Sequence, residues 1–136
     1  MFVTGRPRRY LQIDGLVLFI AMIVLFAATH QHWWIFPMLL FVPDVFILGY
    51  LKNRRLGAFL YNVGHSYLAP TVTILVGWRT PSLLTTAIGI IWLGHVGLDR
   101  FLGYGLKYDD NFKTTHLGNL SKAKSPPEAR RRFQRF

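Results

Sequence analysis

Six polar residues stand inside long apolar stretches of this sequence, where they could carry chemistry: Asp14, Asp44, Asn62, His65, His95 and Asp99. Asn62 and His65 are three residues apart, and His95 and Asp99 are four apart, so each pair shares one face if its segment is helical. An imidazole and a carboxylate at this spacing can ligate one ion together, or the carboxylate can orient the imidazole. Two histidines with two or three carboxylates suit a zinc, iron or manganese ion.

These residue types predict a division of roles within one site. We expect Asp44, His65 and His95 to ligate the metal, Asp99 to orient His95, and Asn62 to position substrate or water. His116, in the sequence Thr114-Thr115-His116, is expected to fold back as a further ligand or as a general acid or base. A divalent ion held in this way lowers the pKa of a bound water and makes hydroxide available at neutral pH.

For each of these residues, a purely structural role is the alternative. Histidine and asparagine inside membrane helices often do no more than hydrogen-bond to a neighbouring helix. Asp99 beside Arg100 could be an interfacial ion pair that reaches toward the headgroups. Asp14 could simply cap the first helix at the membrane surface. His30 and His32 fall in a connection on the other side and are interpreted as plain loop residues.

The elements that would position these side chains are four apolar stretches, each of about the 20 residues that a membrane-spanning helix needs. They cover residues 11–29, 33–51, 56–78 and 82–102, and the connections between them are short, which favours antiparallel neighbours. The chain is 51% hydrophobic and only 16% charged, against about 25% charged in soluble domains. The sequence therefore predicts an all-α membrane protein, an antiparallel bundle of four transmembrane helices within a domain of residues 1–120.

The distribution of lysine and arginine predicts the orientation of that bundle. Basic residues cluster before the first stretch, in the second connection at 52–55 and after residue 102, whereas the first connection has none and the third has only Arg79. By the positive-inside rule both termini are then cytoplasmic. We expect a multi-pass protein of the inner (cytoplasmic) membrane, with the polar residues in the cytoplasmic half of the bundle.

The composition of the chain also indicates what it can bind. The chain has no cysteine, which excludes disulfides and thiolate sites. Its net charge of +10 comes from clusters that flank apolar stretches, so a membrane surface explains it better than nucleic acid. Residues 103–120 are expected to form an ordered cytoplasmic segment. Residues 121–136 are expected to be a disordered basic tail that contacts anionic lipid headgroups. A homo-oligomer is left open.

Several runs of the sequence closely resemble a family of small bacterial membrane proteins known as domain of unknown function 4260. They are VPDVFILGY at 42–50, LYNVGHSYLAP at 60–70, IWLGHVGLDRFLGYGLKY at 91–108 and FKTTHLG at 112–118. The resemblance covers roughly residues 10–118 and implies a four-helix membrane protein, but no activity. It also implies an acidic residue at Asp14 and the same residue types at these positions: Asp44, Asn62, His65, His95, Asp99 and His116.

Three functions from different classes remain compatible with the sequence. The first is a membrane-embedded, metal-dependent hydrolase that acts from the cytoplasmic side on a lipid or another membrane-partitioned substrate. The second is a small proton-coupled transporter or carrier, in which the acidic residues and histidines relay protons. The third is a non-catalytic membrane scaffold, in which the polar residues only fix helix packing. Four helices leave little room for a pore in a monomer, which favours the first or the third.

Overall fold

A computed structural model of the chain describes residues 5–108 and 114–119. The expected basic tail at 121–136 lies outside these ranges, and so do residues 109–113 of the expected cytoplasmic segment. The described residues form five α-helices, one 3₁₀-helix and a small hairpin, so the prediction of a helical fold is confirmed.

The helices follow one another with short connections. They are α1 Arg6–Ala27, α2 Ile35–Leu40, the 3₁₀-helix Val42–Leu51, α3 Arg54–Gly64, α4 Leu68–Arg79 and α5 Leu83–Leu102. Two strands of two residues each follow, β1 Thr114–Thr115 and β2 Gly118–Asn119, paired antiparallel with Thr115 opposite Gly118. Asn53 and Ser82 cap α3 and α5, since each side chain accepts a hydrogen bond from a backbone N–H of the first turn.

A proline lies at or just after each interruption of two of the four expected helices. Pro43 has no N–H to continue the helix that ends at Leu40, and the chain goes on as a 3₁₀-helix of ten residues. Pro70 falls in the first turn of α4, where a missing N–H is tolerated, and α3 has already ended at Gly64. The described part of the chain therefore has five α-helices and a 3₁₀-helix where the sequence predicts four membrane-spanning helices.

Helix α5 is the framework against which most of the other elements pack. It contacts α1, α4 and α2, while α3 packs mainly against the 3₁₀-helix. The buried core lies where α1, α2 and α5 meet, and Phe26 packs edge-on against Phe36 with ring centroids 5.2 Å apart. The other buried apolar residues of this core are Met22, Leu40, Ala87, Ile90 and Ile91.

Two glycines allow the backbones of α1 and α5 to touch. A Cβ at Gly15 would lie 2.6 Å from the carbonyl oxygen of Gly97, and one at Gly97 would lie 2.9 Å from the carbonyl oxygen of Gly15. Real Cβ atoms do not approach backbone so closely, so both positions require glycine. Such small-residue contacts are typical of helix pairs in membranes, where close packing replaces the hydrophobic driving force.

One helix of the described ranges is long and apolar enough by itself to cross a membrane, and it is α1. Its outward face carries exposed aliphatic side chains at helical spacing, among them Ile13, Val17, Ile20 and Val24. The residues Ile35–Leu51 form a shorter apolar helical stretch. Helix α5 has 20 residues but carries His95, Asp99 and Arg100 in its second half.

The close approach of α1 and α5 predicts the effect of a single added methyl group. Gly15→Ala should lower the free energy of unfolding by about 1–3 kcal/mol, because the methyl group meets backbone that cannot move aside. This loss exceeds the gain of up to about 1 kcal/mol in helix propensity. Thermal unfolding in detergent measures the difference, with Ala27→Val at an exposed position of α1 as the control. Equal unfolding midpoints for Gly15→Ala and the parent chain would contradict this account.

Candidate metal centre

Four side chains from three separate elements meet at one point. Asp44 lies in the first turn of the 3₁₀-helix, His65 directly follows α3, and His95 and Asp99 are one turn apart on α5. One potential ligand atom from each residue lies within 4.8 Å of all the others. The structure therefore brings Asp44, His65 and His95, the three ligands predicted from sequence, together with Asp99.

The distances between these atoms test whether they fit an ion. The Nε2 atoms of His65 and His95 are 3.1 Å apart. Asp44 Oδ1 lies 3.3 Å from the first and 3.6 Å from the second, and Asp99 Oδ2 lies 3.5 and 3.7 Å from them. Tetrahedral nitrogen and oxygen ligands about 2.0–2.1 Å from a zinc ion stand roughly 3.3 Å from one another. The residues present therefore fit a four-coordinate divalent ion.

The orientation of His65 is set by contacts on its other side. Its Nδ1 lies 2.9 Å from the carbonyl oxygen of Tyr61, so Nδ1–H donates there and the lone pair of Nε2 faces the cluster. The Tyr61 ring stacks on the imidazole with centroids 3.8 Å apart and planes 12° apart. His95 is also buried, and its Nδ1 has no hydrogen-bond partner among the described residues. The tautomer of His65 is thus the one that a metal ligand requires.

Burial shows which side of the cluster is open. The side chains of His65 and His95 are 0% and 1% exposed, and that of Asp99 is 14% exposed, whereas that of Asp44 is 41% exposed. Three donors therefore form the closed side and Asp44 stands at the opening. Asp99 lies with the other potential ligand atoms, whereas the sequence predicts that it orients His95.

Two residues that sequence reasoning did not select hold the break between α3 and α4. Trp92 donates its indole N–H to the carbonyl of Gly64 at 2.6 Å, and Arg100 Nη2 donates to the carbonyl of His65 at 3.0 Å. Arg100 also donates to the carbonyl of Tyr104 and is itself buried. It is therefore a structural residue of the site, and its partners become visible only once α3 is known to end at Gly64.

Asn62 and His116, both expected in the site, instead contact the segment that follows α5. The Asn62 amide donates to the carbonyl of Lys107 at 2.8 Å and accepts from its N–H at 2.7 Å. His116 Nδ1 accepts from the N–H of Leu106 at 2.9 Å. Neither residue belongs to the four-residue group, and Asp14 is exposed on α1. The structure therefore places Asn62 and His116 where they anchor this segment against the helices.

The anchored segment brings a buried cation close to the cluster. The ammonium of Lys107 lies 4.3 Å from the centroid of the Tyr61 ring, whose neighbour is the His65 imidazole, and 5.4 Å from that of Tyr50. Burial lowers the pKa of Lys107 from 10.5 to about 8, although the charges of Asp99 and Asp44 act to raise it. Burial, with the charge of Arg100, also lowers the pKa of His116.

The shifted pKa of Lys107 predicts a pH dependence of stability. The unfolded chain keeps this proton up to about pH 10.5, whereas the folded chain releases it near pH 8. The contribution of Lys107 to stability should therefore rise with pH between these values. Unfolding of the parent chain and of Lys107→Met in detergent at pH 7 and pH 9.5 measures it. The parent should gain stability relative to the variant, and a constant difference between them would contradict the assignment. Lys52→Met, at an exposed lysine, controls for the loss of one lysine.

Comparison with known proteins identifies the family of the chain but no activity. No curated protein and no solved structure matches the chain. A family described as a domain of unknown function (DUF4260) matches residues 8–120, a range that includes all four residues of the cluster. The match confirms the family indicated by the sequence runs around Asp44, His65 and His95. This chain therefore belongs to the DUF4260 family, whose function is unknown.

Proposed function

We propose that this protein is a membrane-embedded, metal-dependent hydrolase acting on a lipid or another membrane-partitioned substrate. The observation that carries the proposal is the convergence of His65, His95, Asp44 and Asp99 on one point at tetrahedral ligand distances. Two imidazole nitrogens with two carboxylate oxygens are a donor set for zinc, iron or manganese. The inter-ligand distances of 3.1–3.7 Å lie around the roughly 3.3 Å of a tetrahedral zinc site.

Charge also favours a divalent cation in this cluster. Two carboxylates and two neutral imidazoles carry a formal charge of −2 in a cluster of which only Asp44 is well exposed, and unpaired charge is expensive where water is largely excluded. A divalent ion cancels that charge. Arg100 and Lys107, which contact the His65 carbonyl and the Tyr61 ring, add positive charge outside the cluster. This arrangement suits the hydrolysis of an ester or a phosphodiester.

The open side of the cluster supports a role for Asp44 in the reaction. A divalent ion supplies Lewis acidity and lowers the pKa of a water molecule. Asp44, the most exposed of the four, would give up its place on the ion to that water and accept one of its protons as the oxygen attacks the substrate carbon or phosphorus. The bond to the leaving group breaks, and the same proton passes to the leaving oxygen. His65, His95 and Asp99 remain fixed on the closed side throughout.

The lengths of the helical segments support four membrane crossings. At 1.5 Å per α-helical residue, α1 is about 33 Å long and α5 about 30 Å. The six residues of α2 add about 9 Å to about 20 Å of 3₁₀-helix, and α3 with α4 make about 35 Å. Each total is close to the roughly 30 Å of a bilayer core. We propose a multi-pass protein of the inner (cytoplasmic) membrane with both termini cytoplasmic, as lysine and arginine placement favours.

The proposed partners of the chain are the lipid bilayer and its anionic headgroups. The bilayer covers the exposed apolar faces of α1 and α4, and the basic residues of 121–136 contact anionic headgroups. We propose no nucleic-acid partner, and the chain is compatible with a homo-oligomer. If the cluster served a proton-coupled carrier instead, flux would depend on pH and not on metal. In a scaffold neither metal nor flux would be found.

Hydrolysis by reconstituted protein tests the proposal. The full chain in lipid nanodiscs, stripped of metal and then given zinc, should cleave 4-nitrophenyl dodecanoate or a fluorogenic long-chain phosphodiester only after zinc is added. His65→Ala and His95→Ala should lose activity by on the order of a hundredfold. His32→Ala, at an exposed loop histidine, should keep it. Zinc-independent cleavage, or equal cleavage by His65→Ala and His32→Ala, would contradict the assignment. So would folded, zinc-loaded protein that cleaves neither probe.

A further inference from the structure

An apolar groove of about 370 Å³ runs beside the cluster, between α5 and the junction of α2 with the 3₁₀-helix. Pro43, Phe46 and Trp92 are among the less exposed residues that line it, and Val42, Val45 and Ile88 are exposed at its rim. The volume lies in the range of about 300–1,000 Å³ found for sites that bind small molecules. The groove is thus large enough to hold part of a ligand.

The groove and the metal ligands lie along the same face of α5. Ile88, Trp92, His95 and Asp99 are spaced by four, three and four residues, which aligns them on one side of a helix. Along the axis, Trp92 is about 4.5 Å and Ile88 about 10.5 Å from His95. On the facing 3₁₀-helix, two lining residues, Pro43 and Val45, flank Asp44. The residues that line the groove therefore neighbour His95 on α5 and Asp44 on the 3₁₀-helix.

Contacts at its base give the groove a fixed shape. The Trp92 indole is held by its hydrogen bond to the Gly64 carbonyl, and the Phe46 ring stacks on it with centroids 6.2 Å and planes 17° apart. A Cβ at Gly64 would overlap Phe46, so glycine there lets the ring lie flat against the chain. The indole N–H, the polar group of these lining side chains, is already used. The surface presented to a ligand is hydrocarbon.

We infer that this groove holds a single hydrocarbon chain of the substrate and presents the adjoining polar bond to the metal centre. The inference rests on the proposed function and specifies its substrate as a single-chain or chain-bearing amphiphile. A volume of 370 Å³ accommodates on the order of ten methylene-sized groups, at roughly the 30 Å³ of a water molecule in the liquid. The exposed apolar rim continues onto the surface that the bilayer covers, so a chain enters sideways from the membrane.

The groove acts on orientation more than on affinity. A chain that leaves lipid tails for an apolar groove gains little transfer free energy, because the two environments are equally apolar. Holding the chain along α5 instead fixes where the polar end lies relative to His95 and Asp44. A side chain that fills the groove should therefore exclude long-chain ligands and leave the binding of a short ligand by the metal unchanged.

Alkyl hydroxamates separate the groove from the metal, since their head binds zinc and their tail can be varied. With Trp33, Trp34 and Trp78 replaced by phenylalanine, Trp92 reports on the groove. Zinc-loaded protein in detergent should show saturable, one-to-one quenching of Trp92 by a dodecanohydroxamate brominated on its tail. Ile88→Phe and the exposed Val45→Phe should weaken dodecanohydroxamate binding roughly tenfold by overpacking. Both should bind acetohydroxamate like the parent, and Leu75→Phe, exposed on α4, should change neither ligand.

The possible outcomes distinguish a failure of the groove from a failure of the metal centre. Parent-like binding of dodecanohydroxamate by Ile88→Phe and Val45→Phe, or quenching that never saturates, would overturn the groove and leave the metal centre intact. If the parent binds neither hydroxamate, the metal centre fails. Quenching of Trp92 by 1-bromododecane, compared between the parent and Val45→Phe, then decides the groove separately. Saturable quenching that is lost in Val45→Phe supports it, and equal quenching overturns it.

Discussion

The carbonyl groups at the end of α3 are the constraint on which the rest of the site depends. A helix that stops inside an apolar environment leaves its last carbonyls without water, and each must find a donor. Here Gly64 receives the Trp92 indole N–H, and His65 receives Arg100. The His65 ring itself closes on the Tyr61 carbonyl. Satisfying the break therefore fixes His65 and pins it against α5, where His95 and Asp99 already stand.

The electrostatics of the cluster follow from that placement. Asp44 and Asp99 approach the same two imidazoles, and carboxylates this close repel each other unless a cation or a proton lies between them. Lys107 and Arg100 lie on the far side of Tyr61 and of the His65 backbone, so they offset this charge only from a distance. A divalent ion at the centre would resolve the repulsion and use every inward-facing lone pair. The candidate metal centre and the fold thus depend on the same set of contacts.

Much of the site was predictable from sequence, because ionisable residues in apolar stretches must turn toward one another. Their spacing on α5 and the histidine in each of two segments correctly indicated that Asp44, His65 and His95 converge. The position of Asp99 among the ligands was not predictable, since spacing alone does not distinguish a ligand from an orienting partner. Asn62 and Lys107 were missed as a pair because they are 45 residues apart and meet through backbone atoms. The ten-residue 3₁₀-helix also gave no signal beyond Pro43.

The central claim is that four side chains close on one divalent ion, and X-ray absorption of zinc-loaded protein tests it most directly. Zinc should be taken up at one equivalent per chain. Its nearest shell should contain two imidazole nitrogens and two oxygens at about 2.0–2.1 Å, and His95→Ala should lose one imidazole. A shell of six oxygens without imidazole scattering, or no retained zinc in correctly folded protein, would contradict the account.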